Sequence, residues 1–232
     1  MKKLFTVLAV LLVATALFAG ITVKAGGTFA FERFNSPVNA EEPEYFPDNL
    51  KLRMHGFGFE AGIQYDLADN LAVYGEFSMV FPKDAEAKIG DADWVKVSDF
   101  EYDEDATLKF NFFSISAGLA YKLDFDAVKL AVGAGVTLNR SSFKANYKIA
   151  DNIDGEDKLV YTNIGLNALV DAKYMFTENI GVGVTLNPQL GLYSFGKDTF
   201  KESDDPDPFV TKAHGFKIGF AMPITVGVSY IF

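Results

Sequence analysis

The chain has 232 residues, 23 Phe, 10 Tyr, no Cys and a formal net charge of -10 at pH 7. This length suits one domain or two small ones. The acidic balance argues against a nucleic-acid partner, because the phosphates would find no basic stripe to contact. The absence of Cys means that export to an oxidising compartment carries no risk of wrong disulfides.

The first twenty residues differ from the rest of the chain. Two lysines precede an apolar run over residues 4–17, and residues 16–20 offer small side chains for cleavage. This order is typical of a secretory signal peptide, which we place at residues 1–19, with 20–232 as the mature domain. The alternative is a membrane anchor, but the apolar run is shorter than the roughly 20 residues that a spanning helix needs.

From residue 21 onward the chain alternates between apolar and other residues with the period of two that is typical of strands. The pattern predicts eight strands, at 21–33, 53–66, 71–81, 108–123, 128–140, 159–175, 180–193 and 214–232. Short turns are predicted at 67–70, 124–127 and 176–179, and long polar loops at 34–52, 82–107, 141–158 and 194–212. The sequence therefore predicts an all-β fold: an eight-stranded antiparallel up-and-down transmembrane β-barrel with four long outer loops and three short periplasmic turns.

Alternation alone does not decide which face of the barrel is inside. A lipocalin is also an exported eight-stranded barrel, but its apolar residues face inward and its outer face is charged. Here the non-apolar face is rich in Gly, Ser, Ala, Asn and Thr with few charges, which suits a narrow lumen. We therefore expect the apolar face to contact lipid, in the outer membrane of a Gram-negative-type bacterium.

Tyrosines end the descending strands on the apolar face, just before a turn or the end of the chain. Their phenol oxygens would meet lipid headgroups while the rings stay in hydrocarbon, which predicts a periplasmic aromatic girdle of Tyr65, Tyr121, Tyr174 and Tyr230. A second belt near the outer surface is predicted from Phe29, Phe57, Phe81, Phe113 and Tyr193.

The chain closes on Tyr230, Ile231 and Phe232 after alternating apolar positions at 224, 226 and 228. With the strand pattern, this ending resembles small outer-membrane barrels of the OmpA, OmpX, OmpW and opacity-protein type. The resemblance implies that Tyr230 and Phe232 form an assembly signal for the barrel-assembly machinery. It implies an architecture and no particular activity, because such barrels host several functions.

Two carboxylates, Glu60 and Glu76, are predicted to point inward on neighbouring strands, nearly opposite each other. They cannot both stay ionised in a narrow lumen without compensation. The other inward charged positions are Lys24, Lys129, Asp171, Lys173 and Lys217. We interpret these seven residues as an ion-pair plug that fills the lumen, and the alternative is a gate in which the pairs rearrange.

Candidate catalytic residues are few. The histidines, His55 and His214, fall on the apolar face of strands that are not adjacent, with no Ser two residues away. A general base needs such a partner within hydrogen-bond reach, so we predict no enzymatic activity. The acidic loops lack the spaced pattern of a calcium loop, and we predict no metal and no cofactor.

The long loops carry an excess of Asp and Glu, and the second contains the only Trp, Trp94. We predict a structural or surface-interaction role in which Trp94 contacts a partner; packing within the loop is the alternative for this residue. The other candidate function is a narrow pore or lateral-diffusion route for small, possibly hydrophobic, solutes. Expected partners are outer-membrane lipid, lipopolysaccharide and the assembly machinery, and we expect a monomer.

Overall fold

The computed structural model describes residues 20–35, 39–40, 50–99, 106–150, 153–202 and 207–232. The predicted signal peptide lies outside the described residues. Within this part no helix is both long enough and apolar enough to cross a membrane. The strands are β1 (Ile21–Asn35), β2 (Asn39–Ala40), β3 (Leu50–Ala68), β4 (Leu71–Ile89), β5 (Val95–Lys96), β6 (Thr107–Phe125), β7 (Val128–Ala150), β8 (Ile153–Met175), β9 (Ile180–Leu186), β10 (Gln189–Glu202) and β11 (Phe209–Ile231).

The long strands close into an eight-membered antiparallel ring. Its closure joins β1 to β11, from Thr22 opposite Ile231 to Arg33 opposite Phe220. β9 and β10 together occupy one place in the ring, because Pro188 interrupts the strand and has no N–H for a ladder hydrogen bond. β2 and β5 are short additions to β11 and β4. The predicted all-β barrel is confirmed.

The half of the barrel that carries Ile21 and Phe232 has an apolar outer surface. Outward side chains there are exposed on the isolated chain, as at Phe57 (75%) and Val136 (60%). The alternate positions point into the lumen and are small or polar, as at Thr28, Ser116 and Thr137, which are all buried. This is the arrangement of a barrel in lipid and not of a lipocalin, so the predicted orientation of the faces is confirmed.

The alternation reverses in the other half, beyond the belt of Phe29, Phe57, Phe81, Phe113 and Tyr193. Large apolar side chains now point inward and form a buried core, which includes Phe34, Leu52, Met54, Phe110, Phe112 and Tyr161. The outward positions of the same strands are mostly charged, as at Arg53, Lys109 and Lys158. This outer half is therefore organised as a water-soluble barrel.

The reversal explains why the predicted strands were too short. The predicted loop at 141–158 is mostly strand, because β7 runs to Ala150 and β8 starts at Ile153. Likewise β10 continues to Glu202 within the predicted loop at 194–212. A search for an apolar outward face stops where the outward face becomes charged, although the backbone pairing continues.

Candidate functional site

A cavity of about 210 Å³ lies inside the outer half of the barrel, and we call it the outer chamber. Inward side chains from β1, β3, β4, β6, β7, β8 and β10 line it, so the strand extensions create it. Most of the lining is apolar, including Phe34, Leu52, Met54, Ala87, Phe110, Leu159 and Tyr161. A cavity of this size and lining suits a small apolar molecule, since an apolar cavity of about 150 Å³ already holds benzene.

Two carboxyl groups, Asp157 and Asp198, form the polar part of the chamber wall. They lie on paired strands, and Asp198 is opposite Leu159, two residues along from Asp157. Burial, together with the charge of Asp157, raises the pKa of Asp198 to about 7. The wall therefore offers a carboxyl group that holds its proton up to near-neutral pH. These residues were missed at the sequence level because they fell in predicted loops.

The floor of the chamber is polar. Ser141 lines the chamber and donates a hydrogen bond of 2.7 Å to Oε1 of Glu32, which is only 2% exposed. Further down, side-chain hydrogen bonds cross the lumen, such as the 2.8 Å bond from Asn167 to the Tyr74 hydroxyl. These side chains fill the lumen between the chamber and its lower part, although Glu32 Oε2 and Asn167 Oδ1 have no hydrogen-bond partner among the described residues.

The lower lumen holds the centre of the predicted ion-pair plug. Lys24 Nζ contacts Glu76 and lies 3.6 Å from Glu60 Oε1 and 3.9 Å from Asp171 Oδ2. Lys173 Nζ lies 3.0 Å from Asp171 Oδ2. The structure thus brings five of the seven predicted residues together around Lys24. The two glutamates are diagonal neighbours and not directly opposite, because Glu60 faces Ser78 and Glu76 faces Gly62 on the partner strand.

The other two predicted plug residues lie outside the group around Lys24. Lys129 is the cross-strand partner of Lys173 and lines a cavity with Asp171 and Lys173, but its Nζ lies 3.4 Å from Asp124 Oδ2 at the periplasmic rim. Lys217 is nearer the outer end of β11, and its backbone carbonyl accepts a hydrogen bond from Ser194. The alternation of residues along each strand predicts which face of the sheet these lysines occupy. It does not predict their height along the barrel, which depends on the stagger between strands.

The wall of the outer chamber contains a seam between β4 and β6. Their ladder runs from Leu71 opposite Tyr121 to Val80 opposite Phe112, and the described residues beyond form no further β4–β6 pairs. Pro82 lies two residues beyond Val80 on β4 and has no N–H for a ladder hydrogen bond. Above this point β4 pairs with β3, and β6 pairs with β7.

A short segment, Val95–Asp99, lies along the free edge of β4, and we call it the flap. Two residues of the flap pair with β4, with Lys96 opposite Glu86 and Val95 opposite Ala87. Val97 is buried and lines the chamber. Ser98 donates a hydrogen bond of 2.8 Å to Asp84 Oδ2. The flap therefore covers part of the seam through a few contacts.

Trp94, the predicted contact residue, precedes the flap and packs on the outside of the barrel. The Cζ atoms of Arg53 and Arg33 lie 4.4 Å and 5.7 Å from its ring centroid. Arg53 also forms an ion pair with Glu86, whose pKa is lowered by this hydrogen bond. Two cations thus hold the ring by cation–π contacts. Contact with a partner through Trp94 stays a prediction.

The family model for the outer membrane protein β-barrel domain matches residues 5–232. The chain belongs to this family. Among solved structures it is similar to the outer membrane protein OprG from Pseudomonas aeruginosa, with 15% identity, 93% of this chain and 97% of that chain covered, and a TM-score of 0.55. It is also similar to a major outer membrane protein from Thermus thermophilus, with 15% identity, coverages of 89% and 99%, and a TM-score of 0.56. At these identities the likeness shows the fold alone. None of the curated proteins searched matches the chain.

The predicted aromatic residues of this outer-membrane β-barrel lie on its outer wall. The predicted girdle tyrosines are all exposed on the outer wall near the periplasmic turns, at 42% for Tyr65, 50% for Tyr121, 52% for Tyr174 and 42% for Tyr230. At the other boundary, the Phe29 and Phe57 rings are in tilted contact, with centroids 5.1 Å apart. The localisation to the outer membrane of a Gram-negative-type bacterium is confirmed.

The histidines stay apart in the barrel. His55 lies beside Phe29, with ring centroids 6.1 Å apart, and His214 Nδ1 lies 3.2 Å from the Tyr193 hydroxyl. Their strands, β3 and β11, are separated by β1. Among the described residues no group of three or more His, Cys, Asp and Glu could hold a metal ion.

Proposed function

We propose that this outer-membrane barrel gives small apolar molecules a lateral route from the outer surface into the membrane. The outer chamber carries this proposal, because it is a mostly apolar cavity of about 210 Å³ on the outer side of a filled lumen. A protein that only anchored surface loops would have no need for such a cavity. The earlier alternative, a lateral-diffusion route, is therefore favoured over the structural role.

The lower lumen supports a lateral exit over a straight pore. The two cavities beside the ion pairs of Lys24 have volumes of about 10 Å³ each, which is close to the minimum for a single water molecule. Opening this region would separate buried charge pairs at a cost of about 3–5 kcal/mol for each partner removed. An apolar molecule that moved from the chamber into the lower lumen would exchange apolar neighbours for charged ones, and these offer it no favourable contact.

The seam between β4 and β6 supplies the exit in this proposal. Its lower end, at Val80 and Phe112, lies next to the outer aromatic belt at Phe81 and Phe113, where membrane hydrocarbon begins. Displacing the flap would break two cross-strand pairs and the Ser98–Asp84 hydrogen bond. A net hydrogen bond contributes only about 0.5–1.5 kcal/mol, so the largest single cost of opening the flap is the exposure of the buried Val97 side chain, about 1.5–3 kcal/mol.

A disulfide across the flap tests the proposal. Glu86 and Lys96 are cross-strand partners in an otherwise cysteine-free chain, so Glu86→Cys with Lys96→Cys should form a disulfide in oxidising conditions. We expect cells that produce this variant to lose uptake of a small apolar fluorescent compound, and to regain it after mild reduction. The single variants are the controls, and they also report the effect of losing the Arg53–Glu86 contact. Uptake at the wild-type rate by the oxidised double variant would exclude the seam as the exit.

Binding and release of an apolar molecule involve no bond making, so the proposed route includes no enzymatic step. The predicted surface-interaction role stays a second prediction, because residues 41–49, 100–105 and 203–206 of its loops lie outside the described part. The assembly machinery as partner of Tyr230 and Phe232 is also part of the proposal. Their rings pack edge to face, with centroids 4.7 Å apart.

A further inference from the structure

The outer chamber has a polar end, formed by side chains of three adjacent strands. Asp157 on β8 and Asp198 on β10 line the chamber at and beyond the level of Leu159, towards the outer ends of their strands. Thr211 on β11 is the direct cross-strand partner of Asp198 and is only 2% exposed. Cross-strand partners and diagonal neighbours on one face of a sheet are close enough for their side chains to meet. Two carboxyl groups and a hydroxyl group therefore lie together on the inner wall.

Each of these three groups has a buried oxygen that makes no hydrogen bond. The atoms are Asp157 Oδ1, Asp198 Oδ1 and Thr211 Oγ1, and none of them has a partner among the described residues. The two carboxyl groups are close enough to share one hydrogen bond with each other, but these three oxygens take no part in it. Buried polar atoms of this kind are stabilised by a ligand that brings hydrogen-bond donors.

The charge around the carboxyl pair is negative. Among the described residues of the chamber lining, Asp157 and Asp198 are the carriers of charge, and neither forms an ion pair with a described lysine or arginine. The lysines next to the three groups in sequence are exposed on the outer wall, at Lys158, Lys197 and Lys212. On the inner side, burial and the charges of Asp157, Asp198 and Glu202 raise the pKa of the Tyr147 hydroxyl on β7. A cation is therefore the complementary ligand.

A primary ammonium group matches this end of the chamber in both charge and hydrogen bonding. It carries one positive charge and three N–H donors, one for each of the three oxygens. An alcohol brings one donor and no charge, and a quaternary ammonium brings charge but no donor. The rest of the chamber wall is mostly apolar, with Leu52 and Phe110 among its residues, so the group attached to the nitrogen should be apolar.

We propose that the outer chamber selects small primary amines with an apolar chain, whose ammonium group binds Asp157 Oδ1, Asp198 Oδ1 and Thr211 Oγ1. This inference rests on the proposed function, because it names the ligand class of the same chamber. The ammonium takes the place of the proton that Asp198 holds below a pKa of about 7, and this proton passes to solvent. An alkylamine, like a lysine side chain with its pKa of about 10.4, stays protonated across this range. Affinity for the amine therefore rises as the pH rises through about 7.

Hexylamine and hexanol form a matched pair of probes, because they differ only in the polar group. Their affinities are measured by displacement of a neutral apolar fluorescent probe from the full-length mature chain in nanodiscs of zwitterionic lipid, with empty nanodiscs subtracted. At a pH of about 8, hexylamine should bind the wild type about tenfold more tightly than hexanol, since hydrogen bonds to charged groups are stronger than neutral ones. Most of this preference should be lost at a pH of about 5, while hexanol binding changes little. Hexyltrimethylammonium should bind no better than hexanol.

Three variants locate the preference. Asp157→Asn with Asp198→Asn should abolish the preference for the amine, and hexanol binding in the same sample shows that the chamber is folded. Thr211→Val removes only the hydroxyl group and should reduce the preference about threefold. Asp66→Asn with Asp124→Asn removes the same charge at the periplasmic rim and should leave the preference unchanged.

The outcomes separate this inference from the proposed function. If hexanol binds the wild type and hexylamine binds no more tightly, the selection for amines is wrong and the apolar route stands. If neither compound displaces the probe, both are wrong. An unchanged preference in the double Asn variant, or hexyltrimethylammonium binding as tightly as hexylamine, would overturn the hydrogen-bonded ammonium site. Uptake through the seam is measured separately by the disulfide variant.

Discussion

The outer chamber should bind a homologous series of 1-alkanols with a chain-length limit that its volume sets. An apolar cavity of about 150 Å³ holds the six carbons of benzene. In proportion, the chamber's 210 Å³ holds a chain of about eight carbons. Each methylene buried in the chamber contributes about 0.8 kcal/mol, which is about a fourfold gain in affinity. From pentanol to octanol the affinity should rise about fiftyfold, and longer chains should add little.

Filling the chamber should remove this dependence. Ala87 lines the chamber, and the ring introduced by Ala87→Phe would occupy the volume of about one benzene molecule. The space that remains suits only about two carbons, so octanol should bind no better than pentanol. The matched control is Ala134→Phe, because Ala134 is exposed on the lipid-facing wall.

The measurement is displacement of an apolar fluorescent probe from the protein in nanodiscs, with empty nanodiscs subtracted to correct for lipid partitioning. Folding of each variant is checked by its heat-dependent migration on a detergent gel, and the smaller Ala87→Leu change should shorten the chain limit by a few carbons. An affinity that keeps rising past decanol in the wild type, or an unchanged series in Ala87→Phe, would show that the alkanols bind outside the chamber.

Other parts of the barrel give further predictions. Raising the pH from about 4 to about 7 should lower stability, because the folded state holds the Asp198 proton that the unfolded chain releases near its ordinary pKa of 3.8; Asp198→Asn should flatten a plot of thermal midpoint against pH. Glu60→Gln with Glu76→Gln should lower the thermal midpoint or raise single-channel conductance, because Asp171, at 3.9 Å, would be the carboxylate left beside Lys24. Asp66→Asn with Asp124→Asn at the rim is the control, and an equal effect there would exclude a special role for the plug. Deleting Phe232 should reduce membrane insertion and leave secretion intact, since its N–H donates to the Ile21 carbonyl at the barrel closure; normal yields in outer-membrane fractions would contradict an assembly role.

The membrane half of the fold could be predicted from the sequence because a single rule governs it. Lipid on one side and a narrow lumen on the other make each side chain's direction a matter of parity, as at Phe57 and Thr137. Strand stagger could not be predicted in this way. Lys129 therefore shares a face with its cross-strand partner Lys173 but forms its ion pair with Asp124 at the periplasmic rim, and Lys217 lies towards the outer end of β11.

The outer chamber could not be predicted because apolar residues point inward there, whereas in the membrane half the apolar residues point outward. Phe110 points into the barrel and Lys109 away from it, which reads as a break in the pattern of a lipid-facing strand. A search that allowed the apolar phase to switch once along a strand would have extended β7 and β8 to their observed ends. It would also have placed Asp157 and Asp198 on the inner wall rather than in loops.

The reversal of polarity along single continuous strands means that the two halves of this barrel respond differently to temperature. Opening the outer half exposes apolar side chains such as Phe34 and Phe110 to water, so its stability includes a heat-capacity change and weakens on cooling. The membrane half exposes its apolar surface to lipid whether it is open or closed, and it lacks this term. The chamber is therefore expected to loosen in the cold while the membrane-embedded ring beneath it stays closed, so a small apolar guest would exchange without any loosening of the lumen.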